Sequence, residues 1–190
     1  MHWKNISAKF RIKKKTNNKF YISYNMEQPD KTPQLNELII VRTFNASKEI
    51  IWQAWSQTEM FKKWWGPIEF TCPDCEIDFR TGGRFLASMM DDKGNKIWSV
   101  GIYKEIVPYE KIVFTDCFAD EKGNVVSSEV YGMKGVPLEM EVTVLLKDIE
   151  GKTEMTIIHK GLPDDHIGGA NTGWNSSIDK MEGIFENLRN

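Results

Sequence analysis

Little in this chain is available for metal or thiol chemistry, since its 190 residues include only three cysteines and three histidines. Three cysteines build no disulfide framework and suit a reducing compartment, so a cytoplasmic location is expected. No apolar run approaches the roughly 20 residues that a bilayer span requires, and no membrane partner is expected. The opening residues, MHWKNISAKFRIKKK, carry positive charge without an apolar segment, which speaks against a secretory signal. An HExxH pair, a Ser-His-Asp order and a paired-carboxylate signature are all missing. The sequence therefore advertises no familiar catalytic apparatus.

What is present suits one soluble domain of ordinary make-up, with 41% hydrophobic and 27% charged residues. The net charge of -2 hides an asymmetry. Residues 1–34 carry +6 and the remainder about -8. An acidic body argues against nucleic acid binding by the main domain. The basic arm could touch nucleic acid or a membrane surface, but its leading reading is a solvated extension. Within it FRIKKKTNNKFYISY alternates weakly about Asn17-Asn18, a possible hairpin, and NMEQPDKTPQ reads as a linker. The division expected is 1–34 for extension and linker and 35–190 for the domain.

Along that domain, LNELIIVRTF predicts a first strand over Glu37–Phe44. Ser47 is placed to cap a helix with Glu49 in its first turn, and Thr58 to cap a second that ends at Gly66-Pro67. Strands are then expected over 70–79, 84–90, 96–106, 111–118, 138–146 and 153–159, separated by turn-like DDKGNK, VPYEK and DEKGN. The piece NTGWNSSIDKMEGIFENL predicts a long terminal helix. Trp174, Ile178, Met181, Phe185 and Leu188 form its single apolar stripe. Antiparallel strands with one polar face need a cover on the other, and this helix supplies it.

Two motifs in FTCPDCEIDFRTGGRF invite functional readings. Cys72 and Cys75 have knuckle spacing, but an extended strand would point them to opposite faces, roughly 10 Å apart and too far to share a metal. No second cysteine pair exists, and Cys117 and His159 are distant recruits, so no metal site is expected. Arg80-Thr81-Gly82-Gly83-Arg84 has glycines but leads into a strand rather than a helix. It reads as a hairpin turn with Arg80 paired to neighbouring carboxylates.

Four segments, RTFNASKEIIWQAWSQTEMFKKWWGP, EIDFRTGGRF, WSVGIYKEIVPYEKIVFTD and NTGWNSSIDKMEGIFENL, resemble the activator of heat-shock-protein-90 ATPase homologue-like family. That family belongs to the START-like, Bet v 1-like (SRPBCC) superfamily, and the resemblance spans about residues 37–189. It implies an α+β helix-grip fold: a curved antiparallel sheet wrapped around a long C-terminal helix, with two short helices between strands 1 and 2. It also implies a cavity between helix and sheet.

The expected function is non-catalytic binding of a small apolar or amphipathic molecule there, with no cofactor and no metal. The expected ligand contacts are Tyr103, Phe114, Met140, Trp174, Ile178 and Met181. Two alternatives stand beside it, a chaperone ATPase activator-like interaction module and a polyketide-cyclase-like enzyme. An enzyme would draw its acid or base from Asp116, Glu139, Glu141 or His166, with His166 in a loop before the last helix. A chaperone partner is possible on this resemblance, and the chain is expected to be a monomer or a homodimer.

Overall fold

The computed structural model describes residues 36–187. Seven strands run antiparallel in the order β1-β7-β6-β5-β4-β3-β2. They are β1 (Asn36–Phe44), β2 (Cys75–Ile77), β3 (Arg84–Met90), β4 (Lys96–Val107), β5 (Lys111–Ala119), β6 (Met140–Ile149) and β7 (Lys152–Leu162). Helices α1 (Lys48–Ser56) and α2 (Thr58–Phe61) lie between β1 and β2, and α3 (Asp164–Asn187) follows β7. The architecture is the expected α+β helix grip, a curved sheet with one long helix on it.

Strand alternation creates the core. Leu38, Ile40 and Phe44 of β1, Met155 and Ile157 of β7, Val142 and Val144 of β6, and Ile112 and Phe114 of β5 are all buried in one cluster. From α3 the residues Ile178, Met181 and Phe185 join it, with Phe185 set edge-on to Phe44 at 5.6 Å between ring centres. Each such side chain contributes roughly 1.5–3 kcal/mol on burial, whereas an exposed ion pair gives roughly 0–1 kcal/mol. The apolar stripe therefore holds the helix on the sheet. Arg42, reaching Asp179 at 2.8 Å and Glu182 at 2.9 Å, fixes how the helix is turned. Leu188 of the expected stripe lies outside the described residues, as do the Asn17-Asn18 hairpin and the linker.

Several local expectations need correction. The strand expected over 70–79 is only Cys75–Ile77. Pro73 cannot donate to a ladder, and between the Thr71–Met90 and Cys75–Ala87 pairs this segment holds one extra residue, with the Asp74 carbonyl accepting from the Ser88 amide at 2.9 Å. Cys72 and Cys75 consequently do not diverge: each thiol shifts the titration of the other, and the Cys72 thiol donates to the Asp74 carbonyl at 3.5 Å. The second N-cap is Gln57 rather than Thr58, and Ser47 starts α1 through its carbonyl, without a side-chain cap bond. Leu138 precedes β6 and is exposed. The final helix begins at Asp164, seven residues before the expected start, with Asp164 and Asp165 at its positive end. His166 thus sits in the first helical turn, not in a loop.

The Gly82-Gly83 turn stands as expected. Gly82 adopts φ +79°, and a Cβ on Gly83 would fall 2.1 Å from the Asp78 carbonyl oxygen. Arg80 pairs with Asp78 at 2.9 Å. Gly101, inside β4, matters for a different reason: a Cβ there would lie 1.9 Å from the Thr115 carbonyl and 2.4 Å from the Phe85 ring. This close approach lets Phe85 pack beneath the sheet beside Tyr103 and Phe114.

Candidate functional site: a cavity with a polar floor

Between α3 and the far half of the sheet lies a cavity of about 400 Å³. Its walls come from every layer. Trp65, Gly66, Pro67 and Phe70 follow α2, Met89 and Ile97 lie on β3 and β4, and Phe118 and Met140 on β5 and β6. Met133 and Val136 belong to the β5–β6 connection, and Ala170, Gly173 and Trp174 to α3. The two glycines of α3 that line it, Gly169 and Gly173, leave room where longer side chains would fill the space.

Against this apolar wall stands a small polar group. Ser99, Asp116 and His159 come from β4, β5 and β7, and all three line the cavity. Register explains their meeting. Asp116 lies opposite Met140, and His159 opposite the adjacent inward residue Val142, so both fall on the concave face. The Trp174 indole donates from Nε1 to His159 Nδ1 at 3.1 Å. An indole N–H is a donor only, so Nδ1 must hold a lone pair and the ring proton resides on Nε2. His159 Nε2 lies 3.4 Å from Asp116 Oδ2, a long contact without hydrogen-bond geometry.

Burial sets the electrostatics. It pushes the Asp116 carboxyl above the ordinary carboxylate value, with the neighbouring His159 opposing the rise. It lowers the His159 imidazole below 6.5, with Asp116 opposing the fall. The neutral ring demanded by the indole contact agrees with that direction. With Nδ1 engaged and Nε2 protonated, His159 offers a hydrogen-bond donor to the cavity and no free base.

The rim is fastened to α3. Lys180 Nζ donates to the carbonyls of Gly66 at 3.0 Å, Pro67 at 3.3 Å and Phe70 at 2.8 Å. The Ile68 amide donates to Ser176 Oγ at 2.8 Å. Partial burial lowers the pKa of Lys180. His166 Nε2 contacts the Lys134 carbonyl at 2.7 Å, tying the first turn of α3 to the β5–β6 connection.

Of the six expected contacts, Met140 and Trp174 line the cavity. Tyr103, Phe114, Ile178 and Met181 are buried in the core beside it. Trp55 bridges the two groups, its ring 6.0 Å from Phe114 and 6.3 Å from Trp174. Among the acid-base candidates, Asp116 lies on the cavity floor and His166 at its edge. Glu139 and Glu141 instead pair with Lys104 at 3.6 and 3.0 Å. Ser99, Lys180 and the cavity position of His159 went unread in the sequence. His159 had a signal, because Met155, Ile157 and His159 alternate onto one face.

The cysteine pair lies behind the rim. Cys72 is buried, and the two neighbouring thiols act on each other, pulling the Cys72 thiol down and pushing the Cys75 thiol up. Among the described residues no group of three His, Cys, Asp or Glu side chains gathers as a metal site. No described helix is long and apolar enough to cross a membrane.

A curved sheet gripping one long helix, with a cavity between them, defines a START-like domain. Within that class the chain belongs to the Activator of Hsp90 ATPase homolog 1-like protein family, whose model matches residues 45–186. Solved structures agree on the fold. A protein from Arthrobacter aurescens is 24% identical, with a TM-score of 0.69 over 80% of this chain and 86% of its own. One from Chromobacterium violaceum is 25% identical, with a TM-score of 0.66 over 78% and 95%. The AHSA1 protein from Silicibacter pomeroyi is 20% identical, with a TM-score of 0.65 over 81% and 99%. No curated protein matches the sequence.

Proposed function

We propose that this domain is a cytoplasmic binding protein for a small apolar or amphipathic molecule, held between α3 and the sheet without chemical conversion. The observation that carries the reading is the cavity of about 400 Å³, apolar on its walls and polar on its floor. Ligand sites have this build: mostly apolar lining with a few convergent polar groups. Trp174 and Met140 are the proposed wall contacts. Tyr103, Phe114, Ile178 and Met181 form the packed layer that keeps those walls in place. The flexible methionines Met89, Met133 and Met140 suit ligands of differing outline.

The test is a screen of small apolar compounds by Trp fluorescence, followed by variants. Met140→Ala and Trp174→Ala should each weaken a compound found this way by about tenfold. Unchanged affinity in both would place the compound elsewhere and contradict the reading.

Asp116 supports a second reading, an acid-base enzyme of cyclase type, since a buried carboxyl with a raised pKa in a cavity is a candidate proton carrier. The His159 tautomer favours binding over catalysis, because the imidazole holds no free lone pair for a base. Turnover of a bound compound that Asp116→Asn abolishes would shift the balance to the enzyme.

A further inference from the structure

The cavity floor is specific about what it can receive. Among the described residues, the buried polar atoms without a hydrogen-bond partner include Ser99 Oγ and His159 Nε2 on the floor and Trp65 Nε1 on the wall, all on cavity-lining residues. Ser99 is 6% exposed and His159 4%. Buried polar groups left unpaired cost about 1–3 kcal/mol each, so a ligand that pairs them binds more tightly than one that does not. Of the floor groups the Trp174 contact fixes one: Nε2–H of His159 can only donate, while Asp116 accepts in its ionised form and Ser99 can do either.

Resting on the binding reading above, we infer that the ligand carries a neutral hydroxyl head, an alcohol or phenol, seated between Asp116, His159 and Ser99. The hydroxyl oxygen accepts from His159 Nε2–H and the hydroxyl proton is donated to Asp116 Oδ2. Those two groups stand 3.4 Å apart without a hydrogen bond between them, and the hydroxyl gives each a partner. Ser99 takes the remaining lone pair. The two charged alternatives fit less well. A carboxylate head meets the carboxylate of Asp116, where like charges cannot both stay ionised. An ammonium head pairs with Asp116 but turns an N–H toward the N–H of His159, leaving that donor unpaired.

Three compounds of equal chain length, octanol, octanoate and octylammonium, test this on the intact protein at neutral pH, with salt added to screen long-range charge. The Trp174 indole resonance in a ¹⁵N-labelled sample, assigned with Trp174→Phe, reports occupancy next to the floor. Octanol should bind about tenfold or more tightly than either charged compound, and Ser99→Ala and Asp116→Leu should each shrink that preference. Equal or tighter binding of octanoate or octylammonium with the same Trp174 shift would overturn the hydroxyl head and leave the cavity reading intact. No Trp174 shift with any of the three would overturn both. The comparison among compounds on the unaltered protein decides the matter even where a variant does not fold.

Discussion

The Trp174 indole donates to His159 Nδ1 across 3.1 Å, and this one bond joins the long helix to the cavity floor. It also decides the chemistry of the floor, because it makes the imidazole a neutral donor toward Asp116. Nitrogen-resolved NMR of the His159 ring should therefore show the Nε2–H tautomer. In Trp174→Phe the bond is gone, and the ring should exchange between tautomers. Loss of the indole donor leaves a buried nitrogen unpaired and should cost about 1–3 kcal/mol in denaturant unfolding.

His159 should also make stability depend on pH. Its folded pKa is depressed by burial, so the unfolded chain takes up a proton first as pH falls below 6.5. Stability is then lost progressively from 6.5 downward to the folded pKa. Asp116, the charged group facing it, has a raised pKa, and its burial penalty grows as pH rises above 3.8 toward the folded value. Between about pH 7 and 5 these two slopes oppose each other, so the His159 share is read as the difference in urea-midpoint slope between wild type and His159→Phe. Wild type should lose stability relative to His159→Phe as pH falls through this window; parallel curves would show that His159 carries no pH dependence.

How much of this was legible beforehand follows from what each signal depends on. The stripe of Trp174, Ile178, Met181 and Phe185 is a local periodicity, and α3 follows from it directly. Its early start at Asp164 is hidden because Gly168 and Gly169 read as loop residues, although both lie within α3. The glycine turn at 82–83 is likewise local. The cavity floor is not. Ser99, Asp116 and His159 are each an unremarkable polar residue in its own strand, and only the pairing register across β4 to β7 brings them together. The cysteine pair misleads for the opposite reason. Thr71 pairs with Met90 and Cys75 with Ala87, so the segment around Pro73 holds one residue more than its partner strand, and this bulge breaks the strict alternation.

Lys180 carries the rim of the cavity. Its ammonium gathers three carbonyls from residues 66–70, and Lys180→Met keeps the apolar stem while removing all three bonds. The variant should lose about 1–3 kcal/mol. The Ile68 and Phe70 amides should exchange with solvent faster than in the wild type, while amides of β6 and β7 keep their protection. Uniform loss of protection throughout would contradict a local role.

The central claim is that a small molecule occupies the space under Trp174. Native mass spectrometry of protein purified from its own host, compared with the same sample after denaturation, tests it most directly. The account predicts a stoichiometric mass excess that is lost on denaturation and is reduced in Trp174→Ala. A bare chain mass under native conditions, with no small molecule extractable from repeated preparations, would contradict it.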